Sequence, residues 1–200
     1  MRVVAQIVSG VLHPLCMPLL TLGLLMLTDG YLMHRLGLFS YLFVLLFINT
    51  LAPAVSLWLL KRRGVISDLD IRNRSERPWP FLLVLAYYLM AYVLVVHSTA
   101  VVVPLFYQQV LLSLVVAIAL AWLVTWKAKI SMHMLAQGGV LAVYMHVAMM
   151  DHDWDLGWVS LLLLSSGLVG WSGLHLEAHT KAEVYSGFVF GFLTVGVTLF

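Results

Sequence analysis

Charged residues are scarce in this chain, and cysteine is nearly absent. Lys, Arg, Asp and Glu make up only 10% of the 200 residues, whereas hydrophobic residues make up 62%. An average soluble domain has about 25% charged and about 45–50% apolar residues. A soluble fold of this size cannot bury so much apolar surface, so the composition predicts a protein surrounded by membrane hydrocarbon. The single cysteine, Cys16, excludes an intrachain disulfide.

Long apolar runs recur along the whole chain. A bilayer core about 30 Å thick is crossed by ~20 helical residues. The runs that approach this length are residues 10–28, 38–60, 80–97, 109–126, 133–150, 157–171 and 184–200. They are continuously apolar and lack the alternation of a barrel strand. We therefore predict an all-α, polytopic transmembrane helix bundle of six or seven spans, with residues 1–200 forming a single integral membrane domain.

The first and last runs carry further local signals. Pro14 and Pro18 remove backbone donors, so we expect them to kink or break the first span and to leave residues 1–15 along the membrane interface. The last two runs are short. Gly187 and Gly191 lie four positions apart in the final run and are expected to permit close helix packing.

Basic residues are distributed unevenly between the predicted loops. Ten of the eleven Lys and Arg residues fall on the side that holds Arg2 and the loops at 61–79, 127–132 and 172–183, and only Arg35 falls on the other. The positive-inside rule then places these loops in the cytoplasm. We expect a multi-pass protein of the cell membrane, with membrane lipids and no nucleic acid as partners.

Three polar clusters interrupt the apolar sequence on that same side. They are SDLDIRNRSERPWP (Ser67 to Pro80), KAKISMH (Lys127 to His133) and WSGLHLEAHTKAEVYSG (Trp171 to Gly187). Each cluster directly precedes a predicted span, so three helix N-termini would face one side. Free N–H groups and partial positive charge at such termini favour anion binding.

As a set, these clusters resemble the three motifs of the type 2 phosphatidic acid phosphatase superfamily of membrane lipid phosphatases. Arg77-Pro78 is similar to the end of its first motif, Lys-x6-Arg-Pro. ISMH (Ile130 to His133) keeps the Ser and His of the second, Pro-Ser-Gly-His. SGLHLEAHTKAE (Ser172 to Glu183) keeps most of the third, Ser-Arg-x5-His-x3-Asp. The resemblance covers about residues 60–200.

The chain departs from these motifs at five positions. Asp70 stands where the first motif has Lys, Ile130 and Met132 replace Pro and Gly of the second, Gly173 replaces the Arg of the third, and Glu183 replaces its Asp. Two phosphate-binding cations of the family are therefore absent from their usual positions.

The resemblance implies a phosphatase acting on a lipid phosphomonoester or diphosphate, phosphatidate-like or polyprenyl, without a metal or other cofactor. His179 would be the nucleophile that forms a phosphohistidine, Glu183 would fix its tautomer, and His133 would be the general acid. The implied phosphate-binding residues are Arg72, Arg74, Arg77, Lys129 and Ser131.

Two other classes of protein stay open from the sequence. The missing cations favour a catalytically degenerate relative that binds or transports a lipid phosphate. His175 and His179, four positions apart, could instead bind a metal with Glu177, Glu183 or His133. On the opposite side, the loop MDHDWD (Met150 to Asp155) could hold a divalent cation, although a solvated acidic loop explains it more simply.

Overall fold

The chain folds into a bundle of helices. The computed structural model describes residues 1–69, 71 and 73–200, and these residues contain helices and no strand. The α-helices are α1 (Arg2–Val11), α2 (Met17–Thr28), α3 (Gly30–Met33), α4 (Leu36–Arg62), α5 (Pro78–Val96), α6 (Leu105–Thr125), α7 (Met132–Met150), α8 (Leu156–His175) and α9 (Lys181–Leu199). A 3-10 turn spans Arg74–Glu76. The prediction of an all-α bundle is confirmed.

Five helices of the described chain, α4, α5, α6, α8 and α9, are long and apolar enough to cross a membrane. At most 33% of the residues in their most apolar segments are buried inside the bundle. Large apolar side chains such as Leu164 and Val189 are exposed instead, and a bilayer would cover them. These helices indicate a multi-pass membrane protein, whereas the predicted count of six or seven spans is not confirmed.

The last two of these helices are longer than the apolar runs that predicted them. The runs at 157–171 and 184–200 looked short, but α8 has 20 residues and α9 has 19. Helical hydrogen bonding continues through polar residues at the ends, including His175 in α8 and Glu183 in α9. Because the prediction used apolar content alone, it left the polar residues at the ends of both helices outside the predicted spans.

Helix α7 lies at the centre of the bundle, in contact with α2, α8 and α9. Twelve of its 19 residues are buried. Its interior polar residue, Gln137, is 2% exposed and accepts a hydrogen bond at Oε1 from the Ser165 hydroxyl of α8 at 3.0 Å. A buried amide with such a partner is stable in an apolar interior. Gln137 and two histidines dilute the apolar run, so α7 is not among the five most lipid-like helices.

Glycines bring α7 and α9 close together. A Cβ atom added to Gly187 would lie 2.6 Å from the backbone oxygen of Ser131, and one added to Gly191 would overlap the backbone carbonyl of Leu135. On the facing helix, a Cβ at Gly138 would overlap the carbonyl of Phe188. The predicted close packing at Gly187 and Gly191 is confirmed.

The chain breaks near its start, where two prolines predicted a break. Helix α1 ends at Val11, Pro14 lies in the connecting turn, and Pro18 occupies the first turn of α2, where the missing N–H has no helical partner to lose. Helix α1 packs on the end of α8, where the Ser172 hydroxyl donates to the Ala5 carbonyl at 2.8 Å. This contact places α1 beside the polar clusters.

Candidate active site

The three polar clusters meet at one end of the bundle through contacts between side chains and backbone. Arg77 Nη1 donates to the Ile130 carbonyl at 3.0 Å, which joins the first cluster to the second. Lys129 Nζ donates to the Ala178 carbonyl at 2.8 Å, which joins the second to the third. The N–H of Ser131 donates to the carbonyl of Glu183 at 3.1 Å. Loops separated by 50 or so positions therefore form one surface.

A small polar pocket opens between these loops. It is lined by Ser9, Arg77, Ser131, Met132, His133, Val169, Gly173, Leu176, Ala178 and His179. Four residues that the sequence selected are on its wall: Arg77, Ser131, His133 and His179. Helices α7 and α9 both begin here, so the positive ends of their dipoles add to the charge of Arg77. The pocket is electrostatically suited to an anion.

The N-terminus of α9 holds His179 in one orientation. Thr180 is the N-cap, and its hydroxyl accepts from the N–H of Glu183 at 3.3 Å, while the Glu183 carboxylate accepts from the N–H of Thr180 at 3.4 Å. This reciprocal pair is a capping box. The same carboxylate lies 2.9 Å from Nδ1 of His179. Because a carboxylate only accepts, Nδ1 carries the proton and Nε2 keeps its lone pair.

The surroundings of His179 favour its neutral form. Burial lowers the pKa of the imidazole below its usual value, and the positive charges of Lys129 and Arg77 lower it further, while Glu183 acts in the opposite direction. A free histidine has a pKa of about 6.5. His179 is therefore neutral at pH 7, as a nucleophilic nitrogen must be.

Arg77 is the cation built into the pocket wall. It is 1% exposed, and its Nε donates to the Ile71 carbonyl at 2.9 Å, in addition to the Nη1 bond to Ile130. Burial lowers the pKa of the guanidinium, while the negative charges of Glu183 and Asp68 raise it. An arginine stays protonated under such a shift. The next residue, Pro78, begins α5, so the guanidinium is fixed at a rigid helix start.

His133 reaches the pocket from the first turn of α7 and contacts the N-terminal helix. Its Nε2 lies 3.1 Å from the hydroxyl and 3.1 Å from the carbonyl of Ser9 in α1. The ring also meets His13 edge-to-face, with centroids 5.4 Å apart. Sequence reasoning missed both Ser9 and His13, because neither belongs to a polar cluster.

Other residues predicted to bind phosphate lie elsewhere. Nζ of Lys129 lies 3.6 Å from the Glu183 carboxylate, the same group that contacts His179, and Lys129 is not part of the pocket wall. Arg74 is exposed and donates to the Lys127 carbonyl at 2.7 Å, so it ties two loops together. Both side chains donate hydrogen bonds to backbone carbonyls of the loops instead of lining the pocket. Arg72 lies outside the described residues.

Gly173 lies on the pocket wall, at the position where the third lipid phosphatase motif has an arginine. Its carbonyl accepts from the N–H of Ala178 at 3.0 Å. A Cβ atom added to it would lie 3.5 Å from Cδ2 of His179. Among the described residues, Arg77 is consequently the only lysine or arginine that lines the pocket.

The metal-site alternatives have no matching geometry in the described chain. There, no three His, Cys, Asp or Glu side chains come together as metal ligands. In the loop at 150–155, Asp155 caps α8, accepting from the N–H of Gly157 at 2.7 Å, and its carbonyl accepts from the Tyr144 hydroxyl at 3.0 Å. Asp155 therefore has a structural role.

Comparison with known proteins adds no relative: no family model matches the chain, and no match is found among curated proteins or solved structures. Inferences about function therefore depend on the three motifs and on the geometry of the pocket.

Proposed function

We propose that this chain is a membrane phosphatase that hydrolyses a lipid phosphomonoester or diphosphate through a phosphohistidine intermediate. The observation that carries the proposal is the 2.9 Å contact between Nδ1 of His179 and Glu183 at the wall of a pocket that also holds Arg77, Ser131 and His133. A neutral imidazole held in one tautomer, next to a buried cation and a second histidine, is the arrangement that phosphoryl transfer to nitrogen needs.

In the first step, Nε2 of His179 attacks phosphorus, and a P–N bond forms as the P–O bond to the leaving group breaks. His133 gives its proton to the leaving alcohol or phosphate oxygen. Nε2 of His133 lies 3.1 Å from both the hydroxyl and the carbonyl of Ser9, so Ser9 holds the ring in place while the leaving oxygen approaches the same nitrogen and takes its proton. The positive charge that develops on His179 is stabilised by Glu183 through Nδ1–H.

In the second step, water attacks the phosphorus atom of the intermediate. His133, now neutral, removes a proton from this water, and the P–N bond breaks to release inorganic phosphate. His179 and His133 return to their starting protonation states, so protons and electrons balance over the cycle. Neither step calls for a metal ion, because Arg77 and the helix termini neutralise the charge on phosphorus oxygens.

The phosphate-binding groups differ in how directly they act. Arg77 offers the only planar donor fork on the described wall and binds equatorial oxygens. The Ser131 hydroxyl and the first N–H groups of α7 add donors. Lys129 acts indirectly, by setting the charge around Glu183 and His179. Arg74 positions the first loop against the second.

The same contacts support a seven-span arrangement. His13 lies beside His133 at the polar end, whereas Asp29 binds the hydroxyl of Tyr107 at the start of α6. The segment from residue 13 to residue 29 thus crosses the bundle, and α7 crosses it with the five apolar helices.

In this seven-span arrangement the basic loops share one side, which the positive-inside rule makes cytoplasmic. Labelling single cysteines introduced at 176–178 into a Cys16→Ser background tests this: reaction only after permeabilisation is expected, and reaction in intact cells contradicts it.

A second candidate function has support from Gly173. With Gly173 at the third-motif position, the pocket lacks one phosphate-binding cation of the phosphatase motifs and has less positive charge to stabilise a transition state. Such a protein could bind a lipid phosphate and leave it intact.

One experiment separates the two functions. Detergent-purified protein is assayed for phosphate release from lipid phosphates, with and without chelator, beside His179→Ala and the matched control His175→Ala. His175 ends α8, is exposed, and stacks on Trp171. We expect chelator-resistant release that is lost in His179→Ala and kept in His175→Ala, together with an acid-labile phosphorylated intermediate. Equal release by His179→Ala contradicts the mechanism, and lipid phosphate binding without release supports the second candidate.

A further inference from the structure

A second and larger cavity lies inside the bundle, and we name it the chain cavity. It has a volume of about 160 Å³, and its wall is formed mainly by apolar side chains of α2, α4, α5, α6 and α7. Two hydroxyls on this wall are satisfied by their own helices: Thr21 donates to the Met17 carbonyl at 2.8 Å, and Ser113 donates to the Val110 carbonyl at 2.7 Å. Both hydroxyl protons are therefore already used in hydrogen bonds within the helices, and the wall at these two residues is suited to an apolar ligand.

The chain cavity adjoins the polar pocket. Met132 and His133 line both spaces. From His133 the cavity follows α7 inward at least to Val143, an interval of about 15 Å at the helical rise. Tyr107 lies on its wall near the opposite end of the bundle, where the tyrosine hydroxyl donates to Asp29. An amphiphile with its head in the polar pocket thus has an apolar space for its tail directly beside it, across the wall formed by Met132 and His133.

The size of the cavity limits what this tail can be. Apolar cavities of roughly 150 Å³ stay dry and hold a ligand of about the size of benzene. Because this volume is spread over about 15 Å of α7 at the helical rise, it leaves room for no more than one hydrocarbon chain at any depth. Two acyl chains side by side need more width. An empty apolar cavity also destabilises the surrounding fold, so filling it with hydrocarbon is favourable.

We propose that the chain cavity receives the single hydrocarbon chain of the lipid phosphate whose head group is hydrolysed in the polar pocket. The substrate class is then a one-chain lipid phosphate or diphosphate, alkyl, monoacyl or isoprenoid, rather than a two-chain phosphatidate. This inference rests on the proposed function, because it assigns the tail of the same substrate. His133, at the junction, would sit beside the bond between chain and phosphate.

A kinetic test compares a filled cavity with a filled surface. Val143→Phe places a larger side chain in the cavity wall, and Val189→Phe makes the same change on α9, where Val189 is 52% exposed. We expect Val143→Phe to lower kcat/KM for decyl phosphate by roughly tenfold or more and to leave butyl phosphate unchanged. Val189→Phe should alter neither. Dipalmitoyl phosphatidate should be a poorer substrate of the native protein than decyl phosphate, and farnesyl diphosphate and monopalmitoyl lysophosphatidate distinguish isoprenoid from acyl chains.

A labelling test needs no variant and covers the case in which Val143→Phe fails to fold. Decyl phosphate with a terminal diazirine is photolysed on the native protein, and we expect crosslinks to the wall residues of α2, α6 or α7. Crosslinks confined to outward-facing residues, or equal turnover of decyl phosphate by both Phe variants, would overturn the single-chain inference while phosphate release persists. Absence of release from butyl and decyl phosphate alike would instead remove the proposed function, and interior crosslinks would then show binding alone.

Discussion

Nε2 of His133 lies 3.1 Å from the hydroxyl of Ser9, although 124 positions separate the two residues. Helix α1 thereby contributes directly to the polar pocket, from outside the part of the chain that resembles a phosphatase. Ser9 orients the ring that we propose as general acid.

Replacing Ser9 tests this orienting role. We expect Ser9→Ala to lower kcat roughly fivefold, in line with the loss of about 1 kcal/mol of hydrogen bonding, with KM nearly unchanged. The backbone carbonyl of Ser9 keeps its own contact with His133, which limits the effect. Ser9→Thr retains the hydroxyl and should recover most of the rate. Equal loss in both variants would mean that packing of α1, and not the hydroxyl, is what matters.

The acid limb of the pH profile should respond oppositely to two substitutions beside His179. The folded pKa of His179 lies below its ordinary value, so the reactive neutral form dominates at pH 6.5 and above, and activity falls only as pH drops further. Lys129→Gln removes a charge that lowers this pKa, so the acid limb moves to higher pH. Glu183→Gln removes a charge that raises it, so the limb moves to lower pH.

Glu183→Gln should also lower kcat by about 10- to 100-fold, since the partner that orients a reactive histidine is lost. Glutamine still forms a capping box, so the start of α9 is retained. Profiles of kcat/KM against pH for the two variants provide the measurement. Shifts in the same direction would contradict the electrostatic account of His179.

Arg77 and Arg74 should differ sharply in their tolerance of lysine. Arg77→Lys loses the planar fork that binds two carbonyls and faces the pocket, so we expect kcat/KM to fall by about 10²-fold or more. Arg74→Lys affects an exposed side chain with one bond to the Lys127 carbonyl and should cost less than about threefold. Steady-state kinetics on a soluble phosphomonoester measures both. Similar losses in the two variants would indicate that Arg74 also binds the phosphate and would contradict its assignment as a residue that joins two loops.

Helix packing offers a prediction independent of catalysis. Gly191→Ala forces a methyl group against the backbone of Leu135, and we expect a loss of about 1–3 kcal/mol in the free energy of unfolding. Gly167→Ala in α8 is the matched control, because a Cβ there meets no atom within 4 Å. It should be neutral or slightly stabilising. Thermal unfolding in detergent compares them, and an equal Tm for both variants would contradict the close α7–α9 contact.

Much of the fold could be predicted because apolar length determines whether a helix can cross a bilayer. Each predicted run corresponds to a helix, and the prolines at 14 and 18 located the break between α1 and α2. The run at 133–150 predicted α7 (Met132–Met150) to within one residue, whereas its central position in the bundle, and the serines of α8 that satisfy Gln137, follow only from the tertiary structure. The predicted spans for α8 and α9 omitted the polar ends of these helices, because hydropathy carries no information about helical hydrogen bonds.

The candidate site was accessible from sequence only where spacing determines geometry. His179 and Glu183 are four positions apart, about one helical turn, and the Thr180-x-x-Glu183 pattern is typical of a capping box, which predicts that a helix begins between them and that the Glu183 carboxylate turns back towards its start. Arg74 and Lys129 were grouped with Arg77 because all are near the same loops, yet their side chains bind loop carbonyls. Ser9 carries no motif, so its contact with His133 depends wholly on how α1 packs.

The capping box at Thr180 makes the proposed catalytic geometry depend on where helix α9 begins. Glu183 can face His179 only because it is the third residue of α9, counted from a start that Thr180 fixes. One residue inserted between them would turn the carboxylate by about 100° around the helix axis and remove it from the imidazole. The interval from His179 to Glu183 is therefore as constrained as the two residues themselves, whereas the composition of Lys181 and Ala182 is free to change.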